Sequence, residues 1–211
     1  GGGGGAAAAN ARGELLESAA IKVALRNLVA RNDGVLYEDA ALQLGVKQQW
    51  ATAGTGRLAL YHVNKRPGAL KHYKVSIVDA GLVQCDMVPL PTADLAPGGQ
   101  VVQLVNGITC TAPQVAAPRL LVAYDDAAAP GGVRRFELKL PLVAAKFCEP
   151  LTLDTPTFAA QWRAIASGTD KESVQLLKAA RPVDLAWCTA VLRSAKLAVL
   201  AGGGPPAPQT P

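Results

Sequence analysis

Between Gly34 and Leu140, apolar residues recur at every second position in short runs, and Gly, Pro, Asn and Asp residues separate these runs. The clearest run is the last, where Phe136, Leu138 and Leu140 alternate with charged residues. A period of two places the apolar side chains on one face of a strand, so each run predicts a half-buried strand. About seven such strands at regular spacing are typical of an antiparallel, immunoglobulin-like β-sandwich.

The predicted extended regions cover most of this part of the chain. In order, they are residues 35–37 with 42–47, then 57–63, 73–77, 82–88, 101–111, 119–124 and 135–140. Short strands separated by turn residues predict a mainly β fold rather than alternating helices and strands.

The sequence on either side of the strand region has a helical period. Apolar residues at helical spacing predict a helix over 14–31, which the turn sequence Asn32-Asp33-Gly34 ends. After residue 150, Thr155 is a candidate N-cap for a helix that starts at Pro156. A capping box over 169–172 predicts a second helix reaching about 180, and residues 184–200 are predicted as a short helix followed by a strand over 190–200.

These patterns give the expected domain organisation. It consists of a disordered Gly/Ala-rich segment (1–13), a linker helix (14–33), the sandwich (34–148), a partial α+β platform (149–200) and a disordered Gly/Pro tail (201–211).

Composition restricts the compartment and the partners. The net charge of +5 is mild, because charged residues make up only 18% of the chain. The four cysteines are far apart and form no metal-binding or disulfide pattern, which favours a reducing compartment. No stretch approaches the roughly 18 apolar residues of a membrane span, so we expect a cytoplasmic chain that reaches membranes only through partners.

Groups suited to catalysis are sparse. The only imidazoles are His62 and His72, each within a predicted strand and without a nucleophile motif, so both are interpreted as structural. The sequence contains no glycine-rich phosphate loop. The acidic pairs at 38–39 and 125–126 are expected to face water at strand ends rather than to hold a metal. We therefore expect no enzyme activity, no cofactor and no metal.

A basic cluster interrupts the strand region. Its members, with two nearby aromatic residues, are Lys65, Arg66, Lys71, His72, Lys74, Tyr61 and Tyr73. Such a cluster could hold an acidic peptide or nucleic acid, but single-stranded nucleic acid needs several aromatic residues on one face, and the chain is only 5% aromatic. The favoured interpretation is a solvated hairpin that binds no nucleic acid.

Five segments together resemble the appendage, or ear, of alpha-adaptin from the plasma-membrane clathrin adaptor. They are NDGVLYED (32–39), LQLGVK (42–47), GRLALYHVNK (56–65), LKLPLVAAKF (138–147) and PTFAAQW (156–162). Their order and spacing match the family from about 25 to 200.

The resemblance implies a sandwich followed by a platform, which together recruit endocytic accessory proteins. In the family, a groove on the sandwich takes W-x-x-F peptides, and its positions fall here on Gly45, Lys47 and Tyr61. Another groove position, usually glutamine, falls on Val101 beside Gln100. An aromatic floor and a lysine suit peptides that carry aromatic and acidic residues.

The resemblance also implies a second site on the platform. There the family binds D-P-F/W motifs around a tryptophan, and Trp162 holds that place with Phe158 one turn earlier. Where the family has a second aromatic this chain has Ala159, and the arginines from later platform strands have no counterpart before Gly202. An apolar stripe containing Phe158 and Trp162 is equally consistent with a core position.

The expected function is therefore a clathrin-adaptor appendage module in endocytosis and vesicle-mediated intracellular protein transport. Its expected partners are accessory proteins with W-x-x-F or D-P-F/W motifs and, through the parent chain, other adaptor subunits. The expected location is cytoplasmic and peripheral, at clathrin-coated pits and vesicles. The alternative is a non-catalytic structural sandwich that has lost motif binding.

Overall fold

The computed structural model describes residues 12–51, 54–112, 116–166, 182 and 184–200. The chain divides into two compact units, Gly1–Cys148 and Glu149–Pro211. In the described part of the first unit, one α-helix, α1 (Ala19–Ala30), and two short 3₁₀ helices, Pro130–Gly132 and Ala144–Phe147, accompany nine strands. The strands are β1 (Glu14–Leu15), β2 (Asp33–Glu38), β3 (Leu42–Trp50), β4 (Gly56–Asn64), β5 (Lys74–Val78), β6 (Val83–Met87), β7 (Gln100–Cys110), β8 (Arg119–Asp125) and β9 (Val133–Lys139).

The strands form two sheets, as the period of two predicts. One has the order β1-β9-β8-β5 and the other the order β2-β3-β4-β7-β6. All strand pairs are antiparallel except β1 with β9. A single apolar core draws on both sheets, with Leu44 and Leu60 from one and Val122 and Phe136 from the other. The predicted sandwich is confirmed.

The start of the first unit corrects one prediction. The helix predicted over 14–31 begins only at Ala19, where Ser18 accepts a hydrogen bond from the Ile21 N–H. The preceding residues instead form β1, which lies parallel to β9. A β-carbon on Gly13 would lie 2.7 Å from the Phe136 backbone, so glycine permits this close approach.

Helix α1 is fixed to the edge of the five-stranded sheet. Leu28 is buried, and the side-chain amide of Gln48 on β3 donates to the Leu28 carbonyl at 2.7 Å and to the Arg31 carbonyl at 3.3 Å. A β-carbon on Gly34 would lie 3.3 Å from the Leu28 side chain, so glycine lets the helix lie close to β2. The sequence pattern shows the apolar face of α1 but not this polar attachment.

The second unit has two described helices, α2 (Thr155–Ala166) and α3 (Leu185–Ser194). The helix predicted from Pro156 is present, but the Thr157 N–H donates to the Asp154 carboxylate, one position before the predicted cap at Thr155. The strand predicted over 190–200 is wrong, because α3 continues to Ser194 and the described residues after it form no strand. The helix predicted from 169 lies outside the described residues.

Within the described residues, no helix is long and apolar enough to span a membrane.

Candidate binding surface on the five-stranded sheet

Four strands bring together a row of residues on the outer face of the five-stranded sheet. Gly45 on β3 is paired with Tyr61 on β4 and with Val35 on β2, and Tyr61 is paired with Val102 on β7. We call Val35, Gly45, Tyr61 and Val102 the Tyr61 row. The chain neighbours of these residues on β3 and β4 are buried in the core. Because side chains alternate between the faces of a strand, the row itself faces outward.

The Tyr61 row is accessible and apolar. Val35 and Val102 are 42% and 43% exposed, and Tyr61 between them is half-buried. A β-carbon on Gly45 would lie 3.4 Å from the Tyr61 β-carbon and 3.9 Å from its ring. A larger side chain at position 45 would therefore occupy the space beside the ring. Glycine leaves a shallow notch there, between Val35 and Tyr61.

Lys47 adds a positive charge beside this notch. It is exposed, two residues after Gly45 on the same outer face of β3, and pairs in register with Asp33 on β2 and Ala59 on β4. A cation next to an open aromatic ring can contact an acidic residue while the ring contacts an apolar one. The structure thus brings together the predicted residues Gly45, Lys47 and Tyr61.

Val101 does not share this surface. It pairs with His62, which is fully buried, and Val101 itself packs against the core. The prediction that Val101 lines the groove is therefore corrected, because a shift of one residue along a strand reverses the face. Val102 occupies the outer position opposite Tyr61.

Sequence reasoning missed Val35 and Val102. Both are valines within predicted strands, and nothing in their local sequence sets them apart from core residues. The register of β2 on β3 and of β7 on β4 makes them neighbours of Gly45 and Tyr61. Only a correct register of both pairs could have identified them.

Phe158 and Trp162, the predicted platform residues, contact each other on α2. Their ring centroids are 5.9 Å apart at an interplanar angle of 31°. Their exposed fractions are 37% and 46%, and Ile165 on the same stripe is 62% exposed. Side chains exposed to this extent are not core residues. The pair forms an apolar patch on one helix.

The two histidines have different environments. His62 is buried on β4, where its Nδ1 lies 2.8 Å from the Tyr73 hydroxyl, and burial lowers its pKa to about 4 while Gln103 opposes that shift. His72 lies outside any strand, in a turn with φ of 49°, which corrects its predicted place. A neutral, buried imidazole bonded to a tyrosine is a core group, in keeping with the structural interpretation of His62.

Three members of the basic cluster contact carboxylates of the two acidic pairs at the strand ends. The nitrogen-to-oxygen distances are 2.6 Å for Lys65–Glu38, 3.2 Å for Arg66–Asp126 and 2.7 Å for His72–Asp125. The hydrogen bond from Arg66 lowers the pKa of the Asp126 carboxyl. Asp39 accepts hydrogen bonds from the Tyr37 hydroxyl and two backbone N–H groups. These contacts favour the solvated-hairpin interpretation.

The chain is similar in sequence to subunits of one adaptor complex. It is 32% identical over 166 residues to the AP-2 complex subunit alpha-2 of Dictyostelium discoideum. The aligned region covers 78% of this chain and 16% of that protein. It is 31% identical over 158 residues to the AP-2 complex subunit alpha-1 of Arabidopsis thaliana. The aligned region covers 75% of this chain and 15% of that protein. The chain thus spans about a sixth of the length of these relatives.

The similarity to solved structures is weak. The GAE domain of GGA2p from Saccharomyces cerevisiae aligns with a TM-score of 0.40 and 8% identity, covering 54% of this chain and 100% of that one. Agreement at this level carries no argument about function. No family model matches the chain.

Proposed function

The chain belongs to the family of AP-2 adaptor alpha subunits, and from this relationship we propose that it is a clathrin-adaptor appendage module. In this role it binds short peptide motifs of endocytic accessory proteins and catalyses no reaction. Its relatives are named as subunits of the AP-2 complex, which supports a role within an adaptor assembly. Its proposed location is the cytoplasmic side of coated pits, where it acts together with other adaptor subunits.

The Tyr61 row carries the proposal of peptide binding. An aromatic side chain of a W-x-x-F motif can contact the Tyr61 ring in the notch that Gly45 leaves open. Val35 and Val102 extend the apolar contact to either side. Lys47 can pair with an acidic residue that flanks the motif. Single contacts of this size are weak, so repeated motifs and many appendages in one coat supply the avidity.

The test is titration of a W-x-x-F peptide into the full chain labelled with ¹⁵N. We expect shifts confined to the outer face of β2, β3, β4 and β7. Tyr61→Ala should abolish the shifts, whereas Tyr61→Phe, which keeps the ring, should preserve them. Equal binding by wild type and Tyr61→Ala would show that the proposed site is wrong. Absence of binding by the wild type would favour a purely structural sandwich.

The charge of Lys47 can be tested separately. Lys47→Glu should weaken a peptide with acidic flanks by about three- to tenfold, because a nearby attraction becomes a repulsion, and added salt should reduce the difference. Lys74→Glu is the matched control, since Lys74 is an exposed lysine on β5 of the other sheet. Equal effects of the two variants would assign the loss to net charge rather than to the proposed contact.

A D-P-F/W motif is the candidate ligand for the second unit. The exposed, contacting pair Phe158 and Trp162 supports this proposal. Because no described side chain of the second unit is buried, the exposed pair offers a shallow surface, and we expect binding weaker than micromolar. Trp162→Ala should remove it and Trp187→Ala, on α3, should not. Micromolar binding would show that the second unit holds a complete pocket.

A further inference from the structure

A cleft of about 610 Å³ opens on one side of the sandwich, between the end strands of the two sheets. Strand β5 ends the four-stranded sheet and β6 ends the five-stranded sheet, and only a short turn separates them in the chain. The Val83 N–H donates to the Ala80 carbonyl at 3.0 Å within this turn. The volume of this β5–β6 cleft lies within the range of about 300–1,000 Å³ that small ligands occupy.

The β5–β6 cleft is lined by residues at alternate positions of its two strands. They are Val75 and Ile77 on β5 and Val83, Cys85 and Met87 on β6. Val83 is buried, and the other four are half-buried and pack against the core. The edge of the core thus forms an apolar floor that is open to solvent.

No charged residue is among those described as lining this cleft. The charged residues of the two strands, Lys74 and Asp86, are exposed and occupy the alternate positions, which face away from the cleft. A charged head group placed in the cleft would lose water without gaining an ion pair. A neutral, apolar ligand therefore suits this cleft better than an acidic peptide or a free fatty acid.

The shape of the cleft favours a linear chain. Val83, Cys85 and Met87 lie along one face of β6 and span four residue steps, or about 13 Å. A hydrocarbon chain of roughly ten methylene groups has this length, given carbon–carbon bonds of about 1.5 Å. Each methylene group that leaves water contributes about fourfold to affinity. A saturated acyl chain thus fits the floor in length and in polarity.

The free edge of β5 offers hydrogen bonds beside the cleft. Among the described residues, β5 pairs only with β8, so every second residue directs its backbone N–H and C=O groups away from that partner. An amide that joins an acyl chain to a peptide has one donor and one acceptor, as does each following peptide group. An N-acylated peptide can therefore extend along the edge of β5 while its acyl chain lies in the cleft.

We propose that the β5–β6 cleft binds the acyl chain of an N-acylated peptide, that is, of a partner protein with a saturated fatty acyl group at its N-terminus. The chain lies over Val75, Ile77 and Met87, and the first peptide groups pair with β5. This site lies on a different side of the sandwich from the Tyr61 row, and it does not depend on peptide binding there.

The test titrates the full chain with a neutral glycine–serine pentapeptide amide, either unacylated or carrying an N-octanoyl, N-decanoyl or N-myristoyl group. Met87 is the only methionine of the chain, so its ¹³C-labelled methyl group gives one resonance that reports on the cleft. We expect affinity to rise about fourfold per methylene group from octanoyl to decanoyl and to level off at myristoyl, where the cleft is filled. Equal binding of the unacylated peptide would overturn the proposal.

Alkylation of thiols gives a second measurement on the unmodified protein. Cys85 lines the cleft, whereas Cys148 is exposed outside it and serves as the internal reference. The myristoylated peptide should protect Cys85 from iodoacetamide and leave the reaction of Cys148 unchanged, as measured by mass spectrometry. Loss of reactivity at both thiols, or at neither, would contradict binding in the cleft.

Substitutions test the lining of the cleft directly. Ala80→Trp fills the cleft from the turn, and Ala127→Trp, at an exposed turn position between β8 and β9, is its matched control. We expect Ala80→Trp to weaken the myristoylated peptide about tenfold and Ala127→Trp to leave its affinity unchanged. Val75→Thr, a milder change that is close in shape, should weaken binding in the same direction. Equal affinities of the two tryptophan variants would exclude the cleft as the acyl site.

Other sources of an acyl chain are separated by the same measurements. If sodium myristate shifts the Met87 resonance with the affinity of the acylated peptide, the peptide groups have no part and the ligand is a free fatty acid. If phosphatidylcholine vesicles shift it in the wild type and not in Ala80→Trp, the cleft takes a membrane lipid. Either result would overturn the assignment to an N-acylated protein.

Discussion

Helices α1 and α2 carry apolar residues at the same helical spacing, yet among the described residues of the two helices only α1 has a buried side chain. Leu28 on α1 is 1% exposed, whereas Trp162 and Ile165 on α2 are 46% and 62% exposed. Helix α1 lies on the edge of a sheet, and Gln48 bonds to its last turn. Among the described side chains of α2, none is buried. An apolar stripe predicts that a helix has a face, but it does not predict what covers that face.

The largest expected difference between the two units is in the cost of removing a phenylalanine. Phe136→Ala should lower the free energy of unfolding of the sandwich by about 3–5 kcal/mol, because Phe136 is 1% exposed within the core. Phe158→Ala should change it by less than about 0.5 kcal/mol. Urea unfolding followed by circular dichroism measures both. A comparable loss for Phe158→Ala would show that the α2 stripe is part of a cooperative core.

The pH dependence of stability should depend on the buried histidine. Burial lowers the pKa of His62 to about 4, below the value near 6.5 of an unfolded chain. As the pH falls, the unfolded state takes up this proton first. The contribution is therefore complete above about pH 6.5 and is lost toward about pH 4, with a total of about 3 kcal/mol.

His62→Gln should flatten this part of the stability curve. Denaturation midpoints measured between about pH 7.5 and about pH 4.5 test it, with His72→Gln as the control at an exposed position. If the wild type and His62→Gln lose stability in parallel, the acid sensitivity arises from carboxylates instead.

Loss of the hydrogen bonds that attach α1 to β3 should lower the free energy of unfolding by a smaller amount. Gln48→Ala leaves the buried Leu28 carbonyl without its donor and removes the acceptor of the Trp50 indole N–H, at a cost of about 1–3 kcal/mol. Gln49→Ala, on the exposed face of the same strand, should cost less than about 0.5 kcal/mol. Hydrogen exchange of α1 should accelerate only in the first variant. Unchanged protection in Gln48→Ala would mean that Leu28 alone holds the helix.

The sandwich could be predicted from the sequence because its signal is local. Alternation in runs such as 135–140 predicts which residues face the core, and Phe136 and Leu138 are buried as predicted. Glu137, which the alternation predicts on the solvent face, is buried as well, where it pairs with Arg119. The strand predicted over 190–200 was wrong because a short apolar run of mixed spacing fits a strand and a helix equally well.

The outer surface could be predicted only in part. Gly45, Lys47 and Tyr61 came from a resemblance, and the structure places them on one face. Val101 was assigned to the wrong face, and Val35 was missed. Each error concerns register between strands that are separated in sequence, which local periodicity does not determine.

The smallest expected effects come from two helix N-caps, one in each unit. Ser18 accepts from the Ile21 N–H at the start of α1, and Asp184 accepts from the Ala186 N–H at the start of α3. Ser18→Ala should lower sandwich stability by up to about 1 kcal/mol, because α1 unfolds with the core. Asp184→Ala should leave the sandwich midpoint unchanged and speed hydrogen exchange only within α3, since no described residue of α3 is buried. If Asp184→Ala shifted the sandwich midpoint as much as Ser18→Ala, the second unit would share the cooperative unfolding of the first.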